Sequence, residues 1–232
     1  MKQHDYLYHP TAKIATKYKN MILKNDNEKI NIIVLNEGHK NAILYFGGNA
    51  ESMAQSSDYI AGQFPDFTVY LMDYRGYGFS TGQASEAGLY SDALKLYDSV
   101  KGEHERISAG GRSLGAAIAT YVAAHRKISK LALITPFDSI VNVAQGRYPI
   151  YPVALLLHDK YDVASRAKDV VAKIFIVIAE NDSIIAKERT QKLIDAFHAS
   201  QLQITTIKNR GHQDISSDAR YYKIMQDFIG EG

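Results

Sequence analysis

Short apolar segments alternate with longer amphipathic segments along most of the chain. The apolar segments have the length of strands, and the amphipathic ones repeat their apolar residues at helical spacing. We predict strands at Met21–Lys24, Ile30–Leu35, Ala42–Phe46, Thr68–Asp73, Arg106–Ala109, Leu131–Thr135, Lys173–Ala179 and Gln203–Ile207. We predict helices at Ser52–Gln63, Ala84–Val100, Leu114–His125, Lys187–Phe197 and Ile215–Ile229.

This alternation predicts an α/β fold built on a mostly parallel central sheet. Strands separated by helices form βαβ units, which place their strands parallel. The strands are almost continuously apolar, as expected when helices cover both faces of the sheet. Ligands of such sheets bind beyond the carboxyl ends of the strands, so the residues that follow each strand are the candidates for chemistry.

Composition narrows the class of protein. The chain has 232 residues, which suits a single domain over residues 1–232. Its net charge is +2, with acidic and basic residues interspersed, so nucleic acid is not an expected partner. There are no cysteines, which excludes disulfides, thiolate metal sites and cysteine nucleophiles. The oligomeric state is not predicted.

The location of the protein is predicted from what the sequence lacks. Residues Met1–Asn20 are polar and basic and contain no apolar stretch of the kind found in secretory leaders. No apolar run approaches the roughly 18 residues that a membrane span needs. We therefore expect a cytoplasmic protein without a signal peptide or an integral membrane segment.

Ser113 is the candidate nucleophile. The segment Gly111–Gly115 matches G-x-S-x-G, and it follows a predicted strand and opens a predicted helix, which is the context that this motif requires. The serine then sits on a sharp turn at the top of the sheet, with small neighbours that let strand and helix approach closely. The simpler alternative is an ordinary glycine-rich turn between a strand and a helix.

A serine nucleophile needs a base and an orienting carboxylate, and in this arrangement both follow it along the chain. Asp182 and His212 come just after the strands Lys173–Ala179 and Gln203–Ile207. We predict that they complete a catalytic triad with Ser113. The alternatives that we considered for the acid and the base are Glu180, Asp159, Asp162 and His158.

An acyl-transfer reaction also needs N–H donors for the oxyanion. Leu114 follows the nucleophile and Asn49 follows the strand Ala42–Phe46, so these two are the predicted donors, although Gly47–Asn49 also fits a plain turn. Tyr148 and Tyr151, with the apolar run Val153–Leu157, are predicted to line an acyl pocket. The segment Asp73–Ser80 is interpreted as a turn that braces the oxyanion loop.

Motifs for bound groups are missing from the sequence. The glycines at Gly76 and Gly78 lack the third glycine and the following helix of a dinucleotide fingerprint. Neither a phosphate-binding Gly-Lys-Ser/Thr loop nor a His-Glu-x-x-His zinc motif occurs. We therefore expect no cofactor and no metal, with a small-molecule or acylated substrate as the partner.

Taken together, these motifs resemble the α/β-hydrolase-domain serine hydrolases. The matching segments occur in the family's order, at Asn49–Ser52, Asp73–Gly78, Ala84–Tyr90, Gly111–Gly115, Asp182 and Gly211–His212. The resemblance runs from about Lys17 to the C-terminus. It is greatest to a branch with a small lid, which includes membrane-associated eukaryotic members and uncharacterised bacterial hydrolases and lies near the protein depalmitoylases.

The resemblance implies the α/β-hydrolase fold with Ser113, Asp182 and His212 as triad and Asn49 and Leu114 as oxyanion donors. It also implies a short lid-like insertion at about residues 137–172. The sequence departs from the family's pattern at Gly47, where many members have histidine, and it has no N-terminal membrane helix. A membrane location is therefore not carried over.

The predicted function is hydrolysis of carboxylic esters or thioesters through an acyl-enzyme. A protein S-acyl thioesterase and an aminopeptidase-like hydrolase remain alternatives. A hydrolase-fold protein that only binds its partner is the alternative from another class, and the complete set of Ser113, Asp182 and His212 argues against it. A haloalkane- or epoxide-type hydrolase would need a carboxylate where Ser113 stands.

Overall fold

The strands form one eight-stranded sheet in a computed structural model that describes residue 4 and residues 7–230. They are β1 (Lys19–Asn25), β2 (Glu28–Leu35), β3 (Asn41–Phe46), β4 (Thr68–Met72), β5 (Arg106–Arg112), β6 (Lys130–Ile134), β7 (Lys173–Ala179) and β8 (Leu202–Ile207). The expectation about a leader concerns the first twenty residues, of which 1–3 and 5–6 lie outside the described part.

The strand order is β1-β2-β4-β3-β5-β6-β7-β8. Strand β2 runs antiparallel to β1 and β4, and the pairs from β4 to β8 are parallel. The chain therefore has the mostly parallel sheet that was predicted. The carboxyl ends of β3, β5, β7 and β8 lie along one edge, and each is followed by residues singled out in the sequence.

Helices cover both faces of this sheet. In the described residues they are α1 (Met53–Gln63), α2 (Glu86–Val100), α3 (Leu114–His125), α4 (Ile140–Arg147), α5 (Val153–Leu156), α6 (Lys187–Ala196) and α7 (Ala219–Gly230). Neighbouring residues of a strand point to opposite faces, so Ile32 packs into the core with α2, α3 and α6, while Ile33 packs into the core with α1 and α7. None of the helices within this part of the chain is long and apolar enough to cross a membrane.

Two predicted boundaries differ from the structure by three residues or more. Strand β5 continues past Ala109 to Arg112, because Gly110 and Gly111 pair with β3 and β6 instead of turning. The last helix begins at Ala219 and not at Ile215, since residues 215–217 form a separate 3-10 turn. Asp218 then accepts from the backbone N–H of Arg220 at the start of the helix.

The predicted lid-like insertion lies between β6 and β7, where α4 and α5 are found. Only its first part projects from the molecule, since Ile150 and Leu155 are 92% and 83% exposed. The returning part, which contains a 3-10 turn at Ala164–Asp169, packs against helices α3 and α6, and Tyr161 and Val170 in it are fully covered. The part that projects from the molecule is therefore shorter than the predicted insertion at residues 137–172.

Candidate active site

Ser113 lies on a strained turn between β5 and α3. Its φ of 51° and ψ of −114° are unusual for a residue with a side chain. A Cβ atom on Gly111 would lie 2.1 Å from the carbonyl oxygen of Gly115, and one on Gly115 would lie 1.9 Å from that of Phe46. The two flanking glycines of the motif are therefore required by contacts between backbones, which hold the serine at the end of the strand.

The side chains of Ser113, His212 and Asp182 form a continuous chain of hydrogen bonds. His212 Nε2 is 3.0 Å from Ser113 Oγ, and His212 Nδ1 is 2.8 Å from Asp182 Oδ2. Because a carboxylate oxygen only accepts, Nδ1 carries the proton and Nε2 is left to accept from the serine hydroxyl. The structure thus brings together three residues that are distant in sequence, since His212 follows Asp182 by 30 positions and Ser113 by 99.

The Asp182 carboxylate is oriented by the loop after β7. Its second oxygen, Oδ1, accepts from the backbone N–H groups of Ile184 at 2.9 Å and Ile185 at 2.8 Å. The side chains of Asp182 and His212 are only 6% and 9% exposed. Fixed and shielded from water, this pair is arranged to hold one imidazole tautomer.

The predicted oxyanion donors flank the serine. Leu114 is the first residue of α3, so its N–H has no acceptor within the helix. Among the described residues, the backbone N–H of Asn49 also has no hydrogen-bond acceptor. Both residues line the cavity that contains Ser113 and His212. Their participation in catalysis stays a prediction.

The loop at Gly47–Asn49 is braced by two buried tyrosines. Tyr74 donates to the carbonyl of Gly47 at 2.6 Å, and Tyr77 donates to Asn49 Oδ1 at 2.7 Å. Burial raises the pKa of Tyr74 well above its usual range and the pKa of Tyr77 to about 12, so both hydroxyls stay protonated as donors. These contacts confirm that the tyrosines of the segment 73–80 brace this loop.

Arg112 and Glu51 are two further residues of the site that the sequence analysis missed. The Arg112 guanidinium donates to the carbonyl of His212 at 2.8 Å and lies 3.6 Å from the Glu51 carboxylate. Glu51 accepts from the N–H of Gly48 at 2.7 Å. The pair therefore connects the loop of the base to the oxyanion loop. The sequence signal that could have identified them is position, because Arg112 lies inside the G-x-S-x-G motif and Glu51 lies two residues after Asn49.

A cavity of about 570 Å³ opens over Ser113. Its apolar walls include Leu7, Leu114, Phe137, Ile140, Val143, Ala144, Ile184 and Ile185. This is within the usual size range for small-molecule sites. The residues from α4 follow helical spacing, which shows that one face of this helix forms a wall.

The predicted pocket residues Tyr148 and Tyr151 do not line this cavity, and that prediction is corrected. Both are largely exposed, at 52% and 60%. Tyr148 is the C-cap of α4, one position after Arg147, which is the last residue of the cavity-lining face. The polypeptide turns away at this point and carries both tyrosines to the outer surface of the lid.

The alternative acids make other contacts. Glu180 accepts from the backbone N–H of Asn209, and Asp159 accepts from the Tyr8 hydroxyl and the N–H of Glu86. Neither lines the cavity above Ser113, and the same holds for Asp162 and His158.

Several curated proteins are similar to the chain in sequence. No family model matches it. An uncharacterised protein of Mycobacterium tuberculosis is 32% identical over 178 residues, which are 75% of this chain and 63% of that protein. The bem46 protein of Schizosaccharomyces pombe is 28% identical over 204 residues, with 82% and 67% covered. The α/β-hydrolase domain-containing protein 17B of Xenopus laevis is 24% identical, with 83% and 67% covered. The chain spans 63% and 57% of the length of the first curated relatives it matches.

Solved structures were also compared. The esterase Pf2001 of Pyrococcus furiosus has a TM-score of 0.74 at 15% identity, with 97% of both chains covered. Est1E of Butyrivibrio proteoclasticus, solved with ferulic acid, has a TM-score of 0.72 at 14% identity, covering 91% of this chain and 100% of that chain. An enol-lactonase of Burkholderia xenovorans has a TM-score of 0.71 at 15% identity, with the same coverage. At these identities the likeness establishes a shared fold.

Proposed function

We propose that this chain, which has the α/β-hydrolase fold, is a serine hydrolase that cleaves carboxylic esters. One observation carries the proposal. Ser113 stands on a strained turn with its hydroxyl 3.0 Å from the imidazole of His212, whose other nitrogen lies 2.8 Å from Asp182. A serine, a base and an orienting carboxylate in this order are the parts that nucleophilic acyl transfer needs.

The first half of the reaction forms an acyl-enzyme. His212 Nε2 takes the proton of the Ser113 hydroxyl while Oγ attacks the ester carbonyl. Asp182 keeps the imidazole in the required tautomer and stabilises its cation. The tetrahedral intermediate then collapses when His212 gives its proton to the departing alcohol oxygen.

The second half releases the acid. A water molecule loses a proton to His212 and attacks the acyl carbonyl, and Ser113 leaves with that proton. In both halves the negative oxygen meets the backbone N–H groups of Asn49 and Leu114. Donors that are fixed before the reaction stabilise this charge without reorganisation, which makes them a large part of the rate enhancement.

Esters are favoured over other acyl compounds as substrates. An alcohol leaves the tetrahedral intermediate more readily than an amine does, so this machinery cleaves esters more easily than amides. The structural neighbours named above include an esterase and an enol-lactonase, which supports an acyl–oxygen bond as the target. Turnover rates on p-nitrophenyl esters, acyl thioesters and aminoacyl p-nitroanilides distinguish esters from thioesters and N-terminal peptide bonds as substrates.

The proposal is tested by replacing the nucleophile. We expect Ser113→Ala to lower kcat on p-nitrophenyl esters, assayed from acetate to palmitate, by about 10⁴-fold or more, since the attacking oxygen is lost. Ser56→Ala, on α1 and outside the cavity, is the matched control and keeps full activity. A fluorophosphonate probe labels the wild type and Ser56→Ala but not Ser113→Ala.

Other outcomes contradict the proposal in distinct ways. Undiminished ester hydrolysis in Ser113→Ala places the activity at another residue. A wild-type protein that neither hydrolyses an ester nor reacts with the probe is a binding protein. Faster turnover of acyl thioesters or aminoacyl p-nitroanilides than of every ester assigns the same machinery to one of those substrate classes.

A further inference from the structure

The N-terminal arm, defined here as residues 7–9, lies against the oxyanion loop. The side-chain amide of Asn49 donates through Nδ2 to the carbonyl of Leu7 at 2.7 Å and accepts at Oδ1 from the backbone N–H of His9 at 3.0 Å. Leu7 and His9 also line the cavity above Ser113. A segment that precedes the first strand thus forms one wall of the site and bonds directly to its loop.

Tyr77 closes this contact into a ring of hydrogen bonds. Its hydroxyl donates to Asn49 Oδ1 at 2.7 Å and accepts from the N–H of His9 at 2.8 Å. The Tyr77 side chain is 2% exposed, whereas His9 lies at the surface, so this ring of bonds is buried on its tyrosine side and open on its arm side. The Asn49 side chain is therefore used for holding its own loop, while its backbone N–H is the group proposed to meet the oxyanion.

The arm is itself anchored through Tyr8. This side chain is 2% exposed, and its hydroxyl donates to Asp159 Oδ2 at 2.9 Å and lies 2.7 Å from the hydroxyl of Tyr161. Asp159 Oδ1 accepts in turn from the N–H of Glu86, at the start of α2. Burial raises the pKa of Tyr8, so its hydroxyl remains a donor. The arm is thereby joined to the returning part of the lid segment.

We infer that the N-terminal arm and the Asn49 side chain are positioning elements of the active site, which hold the Asn49 N–H where the oxyanion forms. The inference rests on the proposed function. Oxyanion donors act only at 2.7–3.1 Å or so from the developing charge, and a displacement of about 1 Å costs much of their effect. Loss of the arm contacts therefore weakens stabilisation of the transition state more than binding of the substrate.

The test uses Asn49→Ala and Tyr77→Phe in the full chain. Asn49→Ala keeps the backbone N–H but removes both bonds to the arm, and Tyr77→Phe removes only the hydroxyl. We expect kcat on p-nitrophenyl butyrate to fall by at least about tenfold in Asn49→Ala and by less in Tyr77→Phe, with KM within about twofold of wild type. The inhibition constant of phenylboronic acid, whose adduct with Ser113 is tetrahedral, is expected to rise by the same factor as kcat falls.

Tyr70→Phe is the matched control. Tyr70 is also buried, and its hydroxyl bonds to His104 at 2.9 Å, away from the cavity. This variant reports the cost of losing a buried tyrosine hydroxyl and is expected to keep kcat and boronate affinity even when its Tm falls.

Two results overturn the inference, and they differ from failure of the proposed function. Unchanged kcat and boronate affinity in Asn49→Ala and Tyr77→Phe, while Ser113→Ala is inactive, refutes the positioning role alone. Losses that track Tm equally in Tyr70→Phe assign the arm a purely structural role. Activity that survives Ser113→Ala overturns the proposed function and this inference together.

Discussion

Gly111 and Gly115 are constrained by backbone atoms that approach them closely. The carbonyl oxygens of Gly115 and Phe46 lie where their Cβ atoms would be placed. Because backbone cannot rotate away as a flexible side chain can, these contacts leave no room for alanine. The same packing holds Ser113 at its positive φ. The two glycines of the motif therefore allow the close backbone packing that holds the Ser113 hydroxyl above the end of the sheet.

The first prediction concerns these glycines. We expect Gly115→Ala to lower the free energy of unfolding by more than about 3 kcal/mol, because a Cβ atom 1.9 Å from the Phe46 oxygen forces β3 and α3 apart. Gly62→Ala, on α1 with open space around it, is the matched control and is expected to stabilise the protein by about 0.5–1 kcal/mol. Urea unfolding measures both. Equal stability of the two variants would show that the Gly115 backbone contact relaxes freely.

Single residues were predictable from the sequence where order along the chain and position after a strand restrict the choice. Asp182 and His212 were selected in this way, and the structure brings their side chains to Ser113. Tyr148 and Tyr151 were selected by type and proximity alone. The direction in which these two side chains point depends on where α4 ends and on how the chain turns afterwards. The pattern of hydrophobic residues does not determine either feature.

Several secondary-structure elements are joined by a buried ion pair between Arg75 and Asp92. Arg75, in the loop after β4, makes two 2.8 Å bonds to the carboxylate of Asp92 on α2. Asn25 at the end of β1 donates to the same carboxylate, and Asp26 accepts from Arg75. The Asp92 side chain is completely buried. One carboxylate therefore holds a helix, a loop and a hairpin in register.

The second prediction compares two aspartates of α2. We expect Asp92→Ala to cost about 3–5 kcal/mol in unfolding free energy at pH 7, because the mostly buried Arg75 guanidinium loses its buried partner and keeps only the exposed Asp26. Asp98→Ala breaks a pair with Arg126 whose side chains are about one-third exposed, and is expected to cost about 1 kcal/mol or less. Chemical denaturation of both variants under the same conditions makes the comparison. Similar losses would show that burial does not govern these pairs.

Elements were predictable from periodicity, but their ends depended on partners that are distant in sequence. The sequence predicts that β5 ends at Ala109, because the next two residues are glycines and glycine is typical of turns. In the structure Gly110 and Gly111 pair with Tyr45 and Phe46 of β3, so the strand carries the chain as far as Arg112. The missing side chain of Gly111 allows close packing against α3, which only the tertiary arrangement reveals.

At the scale of the whole molecule, the site is assembled from segments spread over most of the chain. The N-terminal arm, the oxyanion loop, the turn at Ser113 and the loops after β7 and β8 meet at one edge of the sheet. The predicted parallel strands already indicated that the site lies at this edge, because ligands bind beyond the carboxyl ends of such strands. The arm was not predicted, since it belongs to no periodic segment of the sequence and it meets the oxyanion loop through its own backbone groups.

The segment between β6 and β7 completes the walls of the cavity, and we predict that it limits which acyl groups fit. Helix α4 contributes Ile140, Val143 and Ala144 to the cavity wall, whereas Tyr148 lies outside it. We expect Ala144→Phe to fill part of the cavity and to lower kcat/KM for p-nitrophenyl hexanoate at least about tenfold relative to acetate, because a longer acyl group loses its space. The measurement is the kcat/KM series from acetate to palmitate.

Tyr148→Ala is the control for this prediction, because it removes a larger side chain from the outer surface of the same lid. The chain-length profile of this variant is expected to match the wild type. A profile that shifts in Tyr148→Ala and not in Ala144→Phe would mean that the acyl group lies across the outside of the lid. In that case the cavity over Ser113 would hold the leaving group, and α4 would face the alcohol side of the ester.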